Sequence, residues 1–218
     1  MNKKLMIIAC GAIVVAGFSM GIWGHKNKQE QTLTKLALEN GSVFTRAHSP
    51  VYGSPTAKVR IVEFFDPACE TCRAFYPLVK KMVDSQQGKV QLVVRYAAFH
   101  TGSDQAVKIL EAARLQELFW PVTEAVLRDQ PKWADHGRPQ PELIWGMLDG
   151  TGLDIRKAKA DAATPAVQAN LDQDMADAKT LNVTQTPGFF VNGKPLIDFG
   201  YEQLNTMVSD AVKQAYPQ

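Results

Sequence analysis

The run from Val59 to Phe65, Val-Arg-Ile-Val-Glu-Phe-Phe, constrains the fold more than any other part of the chain. It is β-branched and aromatic almost throughout, which reads as a largely buried strand, and Asp66-Pro67 breaks it. Beyond the breaker, apolar residues recur at Phe75, Leu78, Val79, Met82 and Val83, the i, i+3, i+4, i+7, i+8 stripe of an amphipathic helix that should stop near Gly88. Lys89 to Ala98, with Val90, Leu92, Val93, Val94 and Tyr96, then predicts a second strand. A strand-helix-strand unit therefore lies within the first hundred residues and indicates an α/β fold. Cys69 and Cys72 fall at the first turn of its helix.

The N-terminus differs in kind. Lys3 and Lys4 precede a stretch from Leu5 to Trp23 that carries no charge. Residues 1–24 are thus a signal peptide or a membrane anchor rather than part of the fold. Roughly 20 helical residues cross roughly 30 Å of hydrocarbon, so retention as an anchor is physically sound. Cleavage is open too, because Val15-Ala16-Gly17 and Gly17-Phe18-Ser19 offer small residues to a signal peptidase. Ile8-Ala9-Cys10 resembles a lipoprotein box, but the apolar run continues well past it. An uncleaved anchor is slightly favoured. Either way the bulk of the chain is exported, to the periplasm or cell envelope, with the lysine end facing the cytoplasm.

Three cysteines are present, and Cys10 lies in the export segment, so the exported part holds only Cys69 and Cys72. Closing so small a ring removes almost no entropy from the unfolded chain, and a stapling role explains it poorly. The pair reads as chemistry. Zinc would need two more ligands, and His25, His48, His100 and His136 form no close pair, so no metal is expected. Balanced charge, 24 basic against 22 acidic residues with no basic run, argues against nucleic acid as a partner. At a helix start the free backbone N–H groups and the positive dipole end favour a thiolate. Cys69, on the outer side, is the expected nucleophile and Cys72 the resolving thiol.

The segment Glu63-Phe64-Phe65-Asp66-Pro67-Ala68-Cys69-Glu70-Thr71-Cys72 resembles the active-site segment of the DsbA-like branch of the thioredoxin superfamily. Glu63, six residues before Cys69, matches the family's buried carboxylate, and Pro77, eight residues after it, matches the kinking proline of the active-site helix. Thr186-Pro187-Gly188-Phe189-Phe190-Val191-Asn192-Gly193-Lys194 looks like the cis-proline loop, a strand and a hairpin turn. The resemblance covers roughly residues 50 to 216 and implies a thioredoxin-like fold with a helical insertion. It implies that Cys69, Cys72 and Glu63 are catalytic, Glu63 as proton acceptor for Cys72, and that Thr186 and Pro187 bind an extended substrate. A solvated carboxylate at a strand edge is the competing reading of Glu63. No cofactor is implied.

Residues 25–49 form a linker with a possible helix at 33–39 and an open role in dimerisation, and residues 50–218 form the DsbA-type domain. Its helical insertion spans about 101–182. There Ala106, Ile109, Leu110 and Ala113 make one apolar stripe, and Val167, Leu171, Met175 and Ala178 another, with Thr164 as N-cap and Pro165 as first helical residue. Pro121, Pro131, Pro139 and Pro141 cut the region into short helices. Trp120, Trp133 and Trp145 read as core or, alternatively, as an exposed groove, and His100, just after the second strand, reads as a capping or surface residue or, alternatively, as one that approaches the site. A last helix is predicted from Tyr201 to Ala215, with Tyr201, Leu204, Val208, Ala211, Val212 and Ala215 inward.

The resemblance implies exchange of disulfides with exported protein thiols and recycling by a membrane or soluble redox partner. Direction divides the readings. Acidic Glu70 beside Cys69 should disfavour its thiolate, and Thr186 before Pro187 is shared with isomerase and reductase branches, whereas the insertion and single-domain layout favour a dithiol oxidase. A non-enzymatic, membrane-tethered chaperone or assembly factor is the alternative from another class.

Overall fold

The computed structural model describes residues 21–22, 24–25, 27–28, 30–35, 41–135 and 138–217. The expected anchor or signal at residues 5–23 lies outside these apart from Gly21 and Ile22. The helix expected over 33–39 is present at 33–35, and residues 36–39 also fall outside. Among the described residues no helix is long and apolar enough to cross a membrane.

A short strand β1 (Val51–Gly53) is followed by β2 (Val59–Phe65), helix α1 (Glu70–Ser85) and β3 (Val90–Tyr96). The insertion then runs through α2 (Ser103–Arg114), α3 (Phe119–Arg128), α4 (Gln130–Trp133), a 3-10 turn at Pro141–Met147, α5 (Ile155–Ala162) and α6 (Pro165–Thr180). Strands β4 (Gly188–Val191) and β5 (Lys194–Pro195) and helix α7 (Tyr201–Ala215) complete the order. The sheet reads β1-β3-β2-β4-β5. Its central strand β2 is parallel to β3, as a helical crossover requires, and antiparallel to β4. β1, absent from the sequence reading, is three residues long and pairs antiparallel with β3 at the edge.

Both faces of β2 are covered, so only Arg60 of its seven residues is exposed. The period of two sorts them: Val59, Ile61 and Phe65 join the core under α1, and Val62 and Phe64 join a second core with Phe44, Val93, Leu181 and Phe190. Glu63 is in phase with the first set and therefore lies on the α1 side. On β3 the same alternation sends Arg95 to the opposite face, where it is fully buried. There its guanidinium reaches Asp174 and Asp177 at 2.6 Å each and the Val43 carbonyl. Arg46 and His48 bind the same two aspartates at 2.8 and 2.7 Å, tying the segment before β1 to α6.

Some expectations hold and others need correction in detail. The inward face of α1 is Cys72, Tyr76, Val79, Met82 and Val83, while Leu78 is exposed and Phe75 half-buried. A face centred on Cys72 follows i, i+4, i+7 and i+11, and Tyr76 buries its ring there although its hydroxyl makes it look polar in sequence. α1 ends at Ser85, three residues before Gly88. Pro121 does not end a helix but sits in the first turn of α3, where its missing N–H costs nothing. Thr164 caps α6 through the Val167 N–H, and Asn192 and Gly193, at φ 47° and 83°, make the two-residue hairpin turn. In α7 only Leu204 and Val208 are fully buried, and Trp133 is core whereas Trp120 and Trp145 are half-buried.

Candidate active site

Cys69 is the N-cap residue of α1, and Cys72 sits one turn inside it. Both are free thiols, Cys69 with 5% of its surface exposed and Cys72 with none. The loop between α6 and β4 crosses in front of them. The Thr186–Pro187 peptide bond is cis, and the Thr186 carbonyl oxygen accepts from the Cys69 thiol at 3.3 Å. β4 pairs with β2, Phe189 opposite Glu63 and Gly188 opposite Phe64, so the sheet register carries this distant loop to the cysteines. Gly188 leaves no room for a side chain, since a Cβ there would meet Val183 at 2.9 Å.

The two thiols are shifted in opposite directions in acidity. Cys69 is held down to about 5, first by a hydrogen bond from the Cys72 thiol, then by the Thr186 side chain and the backbone N–H groups of Cys72 and Thr71, against burial, which raises it. Cys72 is pushed well above the ordinary thiol value, chiefly by burial and then by its bond to Cys69 and the charge of Glu63. The thiolate is therefore favoured at Cys69 over Cys72. Exposed Glu70 does not prevent this, because the hydrogen bonds to sulfur act at contact whereas its charge is screened by water.

Glu63 is 1% exposed in the central strand, which overturns the strand-edge reading. Its Oε1 has no hydrogen-bond partner, and the space beside it, walled by Phe65, Tyr76, Val94, Phe119 and Thr123, has no room for water. Burial, and then the Cys69 charge, raise its carboxyl to about 8. A group poised there takes up and gives back a proton near neutrality.

Two residues escaped the sequence reading. Asp66, read only as a breaker, is fully buried, and its carboxylate accepts from the N–H groups of Ala68, Phe99 and His100 at 2.9, 2.8 and 3.0 Å and from the Ser103 hydroxyl. Its Oδ2 also lies 2.7 Å from His100 Nδ1, and its own N–H reaches Cys72 Sγ at 3.5 Å. His100 is thus fixed to the base of the redox loop rather than a bystander. Gln130, buried in α4, donates from Nε2 to the carbonyls of Pro67 and Cys69 at 2.7 and 3.0 Å. Only the Asp-Pro pair before the cysteines hinted at the first, and nothing local marked the second. Phe75, on the redox helix, packs with Phe189 and Phe199 in an aromatic patch whose ring centroids are 4.8 to 6.4 Å apart. Among the described residues no cluster of His, Cys, Asp or Glu is placed to hold a metal ion.

Residues 45–210 match the family model described as Thioredoxin. Over 165 residues the chain is 27% identical to the thiol:disulfide interchange protein DsbA of Pseudomonas aeruginosa, covering 73% of this chain and 75% of that one. A crystal structure of a thioredoxin-like oxidoreductase from Silicibacter pomeroyi is 30% identical and superposes with a TM-score of 0.67 over 81% of this chain and 97% of that one. The Na(+)/H(+) antiporter NhaA of Herminiimonas arsenicoxydans is also 30% identical, over 67% of this chain, but the match spans only 22% of the antiporter.

Proposed function

The chain belongs to the thioredoxin family, in its DsbA-like thiol-disulfide oxidoreductase branch, and from that premise we propose that it is a dithiol oxidase of exported proteins. One observation carries the direction: the Cys69 thiolate is favoured down to about pH 5, which stabilises the reduced protein and so makes the disulfide a readily spent oxidant. Glu70 and Thr186 are outweighed as arguments for a reductase or isomerase, and Thr186 itself helps to hold the thiolate.

In the proposed cycle a substrate thiolate attacks Cys69 Sγ of the Cys69–Cys72 disulfide. A substrate–Cys69 disulfide forms and Cys72 leaves as a thiolate, which takes a proton from Glu63. A second substrate thiol then loses its proton to solvent and attacks the substrate sulfur. The substrate leaves oxidised by two electrons, and Cys69 departs as the stabilised thiolate, a good leaving group. Returning the dithiol to the disulfide needs an electron-accepting redox partner, membrane-bound or soluble. The Thr186 backbone beside Cys69 offers an acceptor to an extended substrate chain. Residues 1–24 would deliver the domain to the periplasm or envelope, as a signal or as an anchor.

Equilibrating the couple against glutathione buffers tests the direction. An oxidase gives a potential well above that of thioredoxin, about −270 mV, and a value near it sinks the oxidase reading. Loss of exchange in Cys69→Ser, with substrates trapped by Cys72→Ser, separates an enzyme from a tethered chaperone.

A further inference from the structure

Beside the redox helix, between α1 and α3, runs a groove of about 530 Å³ that the chemistry above does not use. Pro77, Leu127 and the ring of Tyr76 line it, with Arg73, Lys81 and Arg128 among its charged groups. Not all the charge is available. Lys80 is held by Glu124 at 2.6 Å and lies over the Tyr52 and Tyr76 rings, Asp84 accepts from Tyr52, and Arg128 binds Asp129. The Arg73 and Lys81 side chains have no partner among the described residues, so the groove keeps one uncommitted positive charge at the Cys69 end of its α1 wall and a second two turns along, just before Asp84.

The near end of the groove lies close to the redox pair along the helix. Arg73 lies one turn beyond Cys69, its N–H bonded to the Cys69 carbonyl at 3.1 Å. The other wall reaches the same carbonyl, because Gln130, just past Arg128, binds it at 3.0 Å. From Arg73 to Lys81 the helix rises roughly 12 Å, the reach of about four extended residues. A chain whose cysteine is at Cys69 could thus lay its next few residues along the groove. The Arg73 guanidinium at the near end favours carboxylates, and the exposed Pro77 ring favours an apolar side chain next to them.

We propose that this groove docks an acidic, partly apolar segment flanking the cysteine of the protein that reacts at Cys69. The inference rests on the oxidoreductase reading and adds a partner chemistry to it. Its occupant is a protein segment, recognised by carboxylates within about four residues of the cysteine.

The test uses the full-length oxidised protein and two synthetic peptides, each with one cysteine followed by leucine interspersed with glutamate or with lysine. The rate at which each reduces the Cys69–Cys72 disulfide is divided by the rate with uncharged dithiothreitol for the same protein. The glutamate peptide should react about tenfold faster than the lysine peptide at low salt, an advantage that shrinks in 0.5 M salt. The double variant R73E/K81E should reverse the preference, and R73Q/K81Q should abolish it. Equal peptide rates with a normal dithiothreitol reaction overturn the docking site alone, as does a preference unchanged in both variants. Competition by millimolar inorganic phosphate as strong as that by the peptide would likewise overturn it, leaving a simple anion site. No reaction with dithiothreitol overturns the redox reading itself.

Discussion

Replacing Cys69 with serine should remove a stabilisation of the reduced protein that depends on pH in a calculable way. The folded thiol is depressed from an ordinary 9.0 to about 5, the case in which stability is present above the unfolded value and is lost as pH falls through the folded one. At pH 7 the site lies two pH units above its midpoint, worth about 3 kcal/mol at roughly 1.4 kcal/mol per unit. At pH 5 less than about 1 kcal/mol remains. Glu63 works in the opposite sense over much of this range, so the parent protein alone would show a muted pH dependence. The informative quantity is the difference between the reduced parent and Cys69→Ser in urea unfolding, which should grow by about 2 kcal/mol from pH 5 to pH 7. Thiolate absorbance near 240 nm gives the midpoint directly. The same energy makes the couple roughly 60 mV more oxidising at pH 7 than one with an ordinary thiol. A titration midpoint near about 8.5, or a stability difference independent of pH, would refute the reasoning.

Three other perturbations follow from the same geometry. Glu63→Gln should stabilise the protein by about 3 kcal/mol at pH 7 and little at pH 4.5, because the buried carboxyl is raised to about 8 and its ionisation opposes folding above its unfolded value. In that variant the pH profile of disulfide exchange should lose a limb near pH 8, and an unchanged profile would remove Glu63 from the proton transfer. Thr186→Val should raise the Cys69 midpoint by about one unit, read by thiolate absorbance, since it deletes a group that holds the thiolate down. Asp174→Ala should cost about 3 to 5 kcal/mol in denaturant unfolding, because Arg95 would remain buried with half its partners gone, and a loss under 1 kcal/mol would contradict the assigned network.

What the linear order of residues determined on its own was local. The run Val59 to Phe65 specified a strand covered on both faces, Thr164-Pro165 a helix start, Asn192-Gly193 a hairpin, and the spacing after Asp66-Pro67 the place of Cys69 at the start of a helix. Each depends on groups a few residues apart, so pattern alone suffices. Thr186-Pro187 and Glu63 were legible only through family resemblance, because nothing in their neighbourhood says that the β2–β4 register brings them to the same sulfurs. Tertiary structure alone decided the rest. His100 and Gln130 reach Asp66 and the redox loop from distant parts of the chain, and Arg95 meets Asp174 and Asp177 some eighty residues on. It also decided the acidity of Cys69, which the neighbouring Glu70 would have misjudged. Burial and hydrogen bonding set a sulfur's charge, and both are properties of the packed surroundings rather than of the adjacent letters.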